Sequence, residues 1–230
     1  MRFFSALSFA LTLSVSTMAC FHAAPVCAAP QGQLIAATSK LSPETQELQD
    51  MLARLSGFSA HFKQEVSDQS GESLSNSEGN IYLLRPDHFM MHTTAPDELA
   101  LYTQDHDIYY YDAVVNQVSI FSMGNMLANP LMLLVSSDEA AWAEYDVSRD
   151  GNRFTLVPKT RQDVLSLTIA FAEKPVPNEE GEECYLLDAL TIRMDDGNNN
   201  FYLFTQQQAT ADAEDFNFAL PADVEVDDAR

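Results

Sequence analysis

Two periodicities divide this chain. After Ser42 the apolar residues Leu48, Met51, Leu52 and Leu55 recur at i, i+3, i+4 and i+7, which is one stripe along a helix of about four turns. Ser42-Pro43-Glu44 supplies its start: a hydroxyl N-cap, a proline at the first helical position and an acid against the positive end of the dipole. Gly57 stands where such a helix would end. From Phe58 the period becomes two, with Phe58, Ala60, Phe62 and Val66 alternating with Ser59, His61, Lys63 and Glu65. Short runs of the same kind follow at 80–84, 88–93, 99–103, 108–115 and 117–122, then at 153–158, 164–171, 186–194 and 201–208. Turn clusters separate them, among them Asp68-Gln69-Ser70-Gly71, Asp150-Gly151-Asn152 and Asp195-Asp196-Gly197-Asn198. Strands at this hairpin spacing predict one antiparallel meander, a sandwich or a barrel, without a linker or an internal repeat.

One segment breaks the rhythm. Gly124 to Val135 is apolar nearly all round, and Asn129-Pro130 suits a helix cap and first turn, with a further helical turn expected over Ser136 to Trp142. Two readings stand side by side: a buried connector filling one end of a barrel, or a Met- and Leu-rich lid that leaves its seat for a ligand.

Composition narrows the function classes. The 230 residues are 46% hydrophobic, enough for a sizeable core, while 12 Lys+Arg against 34 Asp+Glu give a net charge of −22. Such a surface repels phosphate backbones and anionic headgroups, so nucleic-acid binding is excluded as a general role. The first residues read as a secretory signal peptide: Arg2, an apolar run from Phe3 to Met18, then small residues that place cleavage after Ala28. A retained anchor is disfavoured by the shortness of the run, and lipid attachment at Cys20 by the lack of a large aliphatic residue three places before it. The expected organisation is thus 1–28 signal peptide, 29–41 flexible tail and 42–230 a single domain. Cleavage leaves 11 basic and 34 acidic residues, a charge of −23, and only Cys184, so neither an internal disulfide nor a cysteine zinc site is available. His61, His88, His92 and His106 are scattered; no metal and no cofactor are expected. Asp105-His106-Asp107 with Ser119 or Ser122 is the one arrangement that suggests catalysis, but no nucleophile elbow accompanies it and a solvated turn is the better reading. No enzyme activity is expected.

The strands are rich in aromatic residues, and a sheet this large encloses more interior than its own side chains readily fill. A greasy helix and a loose apolar segment are what could plug it, which suggests a cavity for an apolar ligand.

Four blocks then resemble a known family, the LolA periplasmic lipoprotein carriers, over about residues 44 to 229. They are Leu55 to Val66; Gly79 to Phe89, which contains an Arg-Pro-x-x-Phe strand end; Ile108 to Asp112 with Gln117-Val118 and Asn129 to Leu134; and Phe216 to Val226. The chain departs from the pattern at Met90-Met91, where an aromatic residue is usual, at His106 in place of a turn glycine and at Ala113 in place of a proline.

The resemblance implies a mainly β fold: a single large antiparallel, incompletely closed β-barrel, covered by the N-terminal helix and a short apolar lid helix. It implies a monomeric periplasmic carrier that takes acylated lipoproteins from an inner-membrane LolCDE-like transporter to an outer-membrane LolB-like receptor. A lipocalin-like binder or sensor of small lipids or mislocalised lipoproteins is the alternative. The residues expected to face the cavity are Leu48, Met51, Leu52 and Leu55 with the lid residues Leu127, Pro130, Leu131, Met132, Leu133 and Leu134. Arg85, on residues alone a solvent-facing arginine before a turn proline, becomes by resemblance the latch that donates to lid carbonyls. Phe89 is either barrel core or, by resemblance, a cavity-mouth residue used in transfer.

Overall fold

A computed structural model describes residues 41–122, 130–160 and 163–230. The leader, its cleavage site, the tail up to residue 40, Leu127 and the Asn129 cap lie outside the described residues.

The predicted helix forms as α1, Pro43–Arg54, and Ser42 caps it through its Oγ, which accepts the Thr45 N–H at 3.1 Å. Its stripe is buried: Leu48, Leu52 and Leu55 are at most 2% exposed. Gly57 does not end it. The Leu55 N–H closes the last turn on the Met51 carbonyl, and Asn178 Nδ2 donates to the Arg54 carbonyl at 3.0 Å, which satisfies an end that would otherwise be open. Gly57 instead opens the first strand, where a Cβ would sit 3.0 Å from the Ala211 nitrogen.

The strands are β1 Gly57–Ser67, β2 Ser73–Leu84, β3 His88–Ala95, β4 Leu99–Gln104, β5 Asp107–Asp112 and β6 Gln117–Ser122. A 3₁₀ helix, Pro130–Leu134, and α2, Glu139–Ala143, intervene. Then come β7 Tyr145–Asp150, β8 Arg153–Pro158, β9 Val164–Phe171, the short pair β10 Val176–Pro177 and β11 Glu183–Cys184, β12 Leu187–Met194, β13 Asn199–Gln208 and β14 Glu225–Asp228. Twelve of them form one sheet in the order β14-β6-β5-β4-β3-β2-β1-β13-β12-β9-β8-β7. Neighbours are antiparallel except β14, which runs parallel to β6. Since β7 and β14 end the order, the sheet is an incompletely closed barrel, as expected.

The topology explains where the lid lies. The meander β1 to β6 runs outward to one side of the sheet, and the chain re-enters at the opposite edge as β7. The connection between the two must span the open side. There it carries the 3₁₀ helix and α2, so the expected lid segment is a 3₁₀ turn where it is described, and Pro130 starts it. The sheet also curls. β4 and β9 stand six strands apart in the order, roughly 29 Å if flat, yet Leu99 and Leu101 of β4 line the same cavity as Val164 of β9. Gly79 assists the bend: a Cβ there would lie 2.0 Å from the His92 carbonyl oxygen, and the β2–β3 register shifts at that residue.

Two apolar clusters lie on the two faces. The larger, on the inner face, joins α1, the 3₁₀ helix and Trp142 to Phe58, Phe62, Ile81, Phe154, Ile169 and Phe204, among others. The smaller is Met90, Ala100, Tyr102, Tyr111 and Val118 on the outer face, covered by Phe216, Phe218, Leu220 and Val224 of the C-terminal segment. Sequence reading missed β7 and placed β2 too late, because Ser73 to Glu78 is polar and pairs with β1 beyond the core. It also ran β5 on to Val115. Val114 and Val115 are exposed in a turn, where Asp112 Oδ1 accepts the Val114 N–H at 2.9 Å.

Candidate functional site

The lid is seated by its own apolar run. Pro130, Leu131, Met132, Leu133, Leu134 and Val135 are all buried, the last four at most 1% exposed. Six consecutive residues buried on all sides do not fit a surface helix, which would keep one face wet. They fit a plug, with the sheet below and α1 beside it.

A plug of this kind ends in carbonyls that no helix continues to satisfy, and Arg85 meets them. It lies just past the end of β2, its backbone N–H held by the Ser56 carbonyl at 2.9 Å. Its Nη1 donates to the Leu134 carbonyl at 2.6 Å, and its Nη2 donates to the Ser136 carbonyl at 3.1 Å and to Ser137 Oγ at 3.3 Å. Burial pulls the guanidinium below its ordinary value, and no carboxylate pairs with it among the described residues. Its charge is therefore spent on lid carbonyls, in hydrogen bonds of the charge-assisted kind. Trp142, fully buried on α2, donates its indole N–H to the same Ser136 carbonyl at 3.2 Å. Sequence reading placed Trp142 only in a helical turn; a lone tryptophan after an Asp138 cap was the available signal.

The remaining predicted residues divide. Leu48, Leu52 and Leu55 join the 3₁₀ helix in one cluster with the sheet, so the space between α1 and the inner face is filled by side chains. Met51 is half-buried and lines an outer groove with Glu47, Arg54 and Arg149. Phe89 is fully buried in the inner cluster, its N–H held by Thr103 Oγ1 at 2.9 Å, which in turn donates to the Asp87 carbonyl at 2.7 Å. Open space begins at the leading end of the lid. Pro130 and Leu131 border a cavity of about 340 Å³ whose other walls include Met91, Leu101, Ile192 and Met194. That is the small end of the range for ligand sites.

Asp105 and His106 form the two-residue turn between β4 and β5, both at positive φ (51° and 67°). His88 and His92 do not meet each other: each is paired with a carboxylate, Asp87 at 2.7 Å and Glu98 at 2.8 Å. Among the described residues no group of three or more His, Cys, Asp or Glu is arranged to hold a metal. Cys184 is 1% exposed, and burial pushes its thiol up, so it is held protonated and away from solvent.

Residues 53–220 match the family model described as outer membrane lipoprotein carrier protein LolA. Among similar proteins, one from Aliivibrio fischeri strain ES114 is 33% identical over 199 residues, 86% of this chain and 96% of its own. One from Shewanella amazonensis is 32% identical over 192 residues, 81% of this chain and 89% of its own. Both are called outer-membrane lipoprotein carrier protein. Among solved structures, a LolA superfamily protein from Nitrosomonas europaea has 9% identity and a TM-score of 0.42, covering 74% of this chain and 97% of its own.

Proposed function

Because the chain belongs to the LolA family of outer membrane lipoprotein carrier proteins, we propose that it works in the periplasm, accepting acylated lipoproteins from an inner-membrane LolCDE-like ABC transporter and delivering them to an outer-membrane LolB-like receptor. The observation that carries this reading is the buried run Pro130–Leu134, held over the inner face by Arg85 through the Leu134 and Ser136 carbonyls and the Ser137 hydroxyl. A core segment needs no such handle; a segment that must leave and return does.

Magnitudes support an exchange. Each buried methylene contributes about 0.8 kcal/mol, so a sixteen-carbon chain resists water by roughly 12 kcal/mol. Returning the lid's Leu131, Met132, Leu133 and Leu134 to water costs about 1.5–3 kcal/mol each, roughly 6–12 kcal/mol together. The two terms are of one size, so lid burial competes with acyl burial and the carrier keeps a net affinity it can give up. Signal-peptide cleavage near Ala28 places the protein in the compartment where this is needed.

The test is extraction. Incubated with spheroplasts that hold newly acylated lipoprotein in the inner membrane, the protein should bring lipoprotein into the soluble fraction as a one-to-one complex. It should then pass the cargo to outer-membrane vesicles bearing the receptor. Lipoprotein that stays in the membrane, while the protein still takes up free fatty acid, would replace this reading with that of a small-lipid binder.

A further inference from the structure

An acyl chain is not all hydrocarbon: it ends in a carbonyl, an acceptor that loses water when the chain is swallowed. The cavity beside Pro130 and Leu131 has one polar wall, and the sheet register assembles it. Gln64 on β1 stands opposite Tyr202 on β13 and Ser77 on β2, and Asn200 stands two pairs further along, on the same face, opposite Val66. Thr93 of β3 lines the same space. All the other walls carry apolar residues and Tyr110.

This wall has donors to spare. Gln64 Nε2 donates to Asn200 Oδ1 at 3.2 Å, and Gln64 Oε1 accepts Ser77 Oγ at 2.7 Å, which orients both amides. The Asn200 amide nitrogen then has no acceptor among the described residues, and neither has the Thr93 hydroxyl, although Thr93 is only 7% exposed. Tyr202 is 8% exposed, with Gln64 beside its hydroxyl, and burial raises it to about 12, so it remains a donor throughout the neutral range. Neither the Asn200 amide nitrogen nor the Thr93 hydroxyl is sealed from solvent; when an acyl chain displaces that solvent from the cavity, its carbonyl is the group that can take over the lost hydrogen bond. A plain core would place no such groups against Met91, Ile192 and Met194.

We propose that Gln64, Thr93, Asn200 and Tyr202 form a subsite for the acyl carbonyls of the cargo, so that the cavity reads the ester or amide linkage as well as the hydrocarbon. The proposal rests on the carrier reading above. Pro130 and Leu131 border the subsite, so a carbonyl reaching it lies beside the leading end of the lid and the chain it terminates displaces that end first.

The experiment compares two fluorescent cysteinyl peptides of equal carbon count. One carries two palmitoyl chains as glyceryl esters, and the other carries the same chains as ethers, without carbonyls. The wild-type protein should bind the ester form roughly fivefold to tenfold more tightly, the range of one or two hydrogen bonds. Thr93→Val and Asn200→Asp should bring that ratio close to one without weakening the ether form, and a urea melt of each variant checks that it folds. Equal binding of ester and ether by the wild type, or an unchanged ratio in the folded variants, overturns the subsite and leaves the carrier reading standing. Failure of both peptides to bind overturns the carrier reading, and the subsite falls with it.

Discussion

At the scale of single residues, Arg85 does what hydrocarbon cannot: it gives the lid a direction. Apolar burial is indifferent to which carbonyl lies where, whereas a guanidinium fork meets Leu134 and Ser136 at fixed distances of 2.6 and 3.1 Å. Hydrogen bonds from a charged donor contribute about 1.5–3 kcal/mol. Arg85→Leu is therefore expected to raise the population of the open lid roughly tenfold to a hundredfold. Amide hydrogen exchange at 131–135 should quicken by that factor, with loading and release impaired more than global stability. Unchanged exchange together with unchanged transfer kinetics would remove the latch. Tyr145 presents the opposite case. It is 4% exposed and its hydroxyl has no partner among the described residues, and burial pushes that hydroxyl up. Tyr145→Phe should leave the fold intact and stabilise it by about 1 kcal/mol in urea unfolding; a loss of stability would mean that the hydroxyl is bonded after all. The Arg85 contact was legible only in part: Arg85-Pro86 marks a strand end in any β protein, and its carbonyl acceptors lie 49 and 51 residues further on.

At the scale of elements, what matters is how a long meander is made to curl around a lid. The β1–β2 hairpin extends past the core as a polar ribbon, and its root at Gly79 allows β3 to press against β2 with no side chain between them. Gly79→Ala would place a methyl group 2.0 Å from the His92 carbonyl, on backbone that cannot step aside. A loss of roughly 3 kcal/mol or more is expected, the range of overpacking with a backbone shift, seen as a lower urea midpoint and poorer soluble yield. A variant as stable as the parent would show that the curl does not depend on this approach. Here the sequence was most readable. Strong alternation located β1, β3, β4, β6, β8, β9, β12 and β13, and Ser42-Pro43 located α1. What escaped was held by pairing without burial, as in the first half of β2, or was too charged to show a period, as in β7 (Tyr145–Asp150).

At the scale of the whole molecule, burial of phenols on both sheet faces couples stability to alkaline pH. Tyr202 on the inner face and Tyr102 on the outer are both raised from 10.0 to about 12, chiefly by burial, which disfavours the charged phenolate. The folded form thus keeps these protons to a higher pH than the unfolded chain does. Their contribution is complete below pH 10 and drains away as pH rises from 10 to about 12. A thermal midpoint that is level up to about pH 10 and falls steeply beyond it is expected, and one that stays level to pH 12 would contradict the burial of these rings. The two faces are covered differently: the inner one by α1 and the 3₁₀ helix, the outer one by Phe216 and Phe218, which pack against Tyr82, Tyr102 and Tyr111.

The amino-acid sequence by itself determined the periodicities, and with them a capped helix, an antiparallel meander and one apolar segment that fits neither pattern. These are local properties, set by neighbours a few positions away. Only the tertiary structure decided that residues 130–135 are buried against the inner face, that Arg85 and Trp142 converge on the Ser136 carbonyl, and that Gln64, Thr93, Asn200 and Tyr202 meet on a single wall. Those are distances between groups far apart in the chain, Gln64 and Asn200 being separated by 136 residues. They depend on how far twelve strands twist and curl, a sum of small backbone rotations that no single residue type announces.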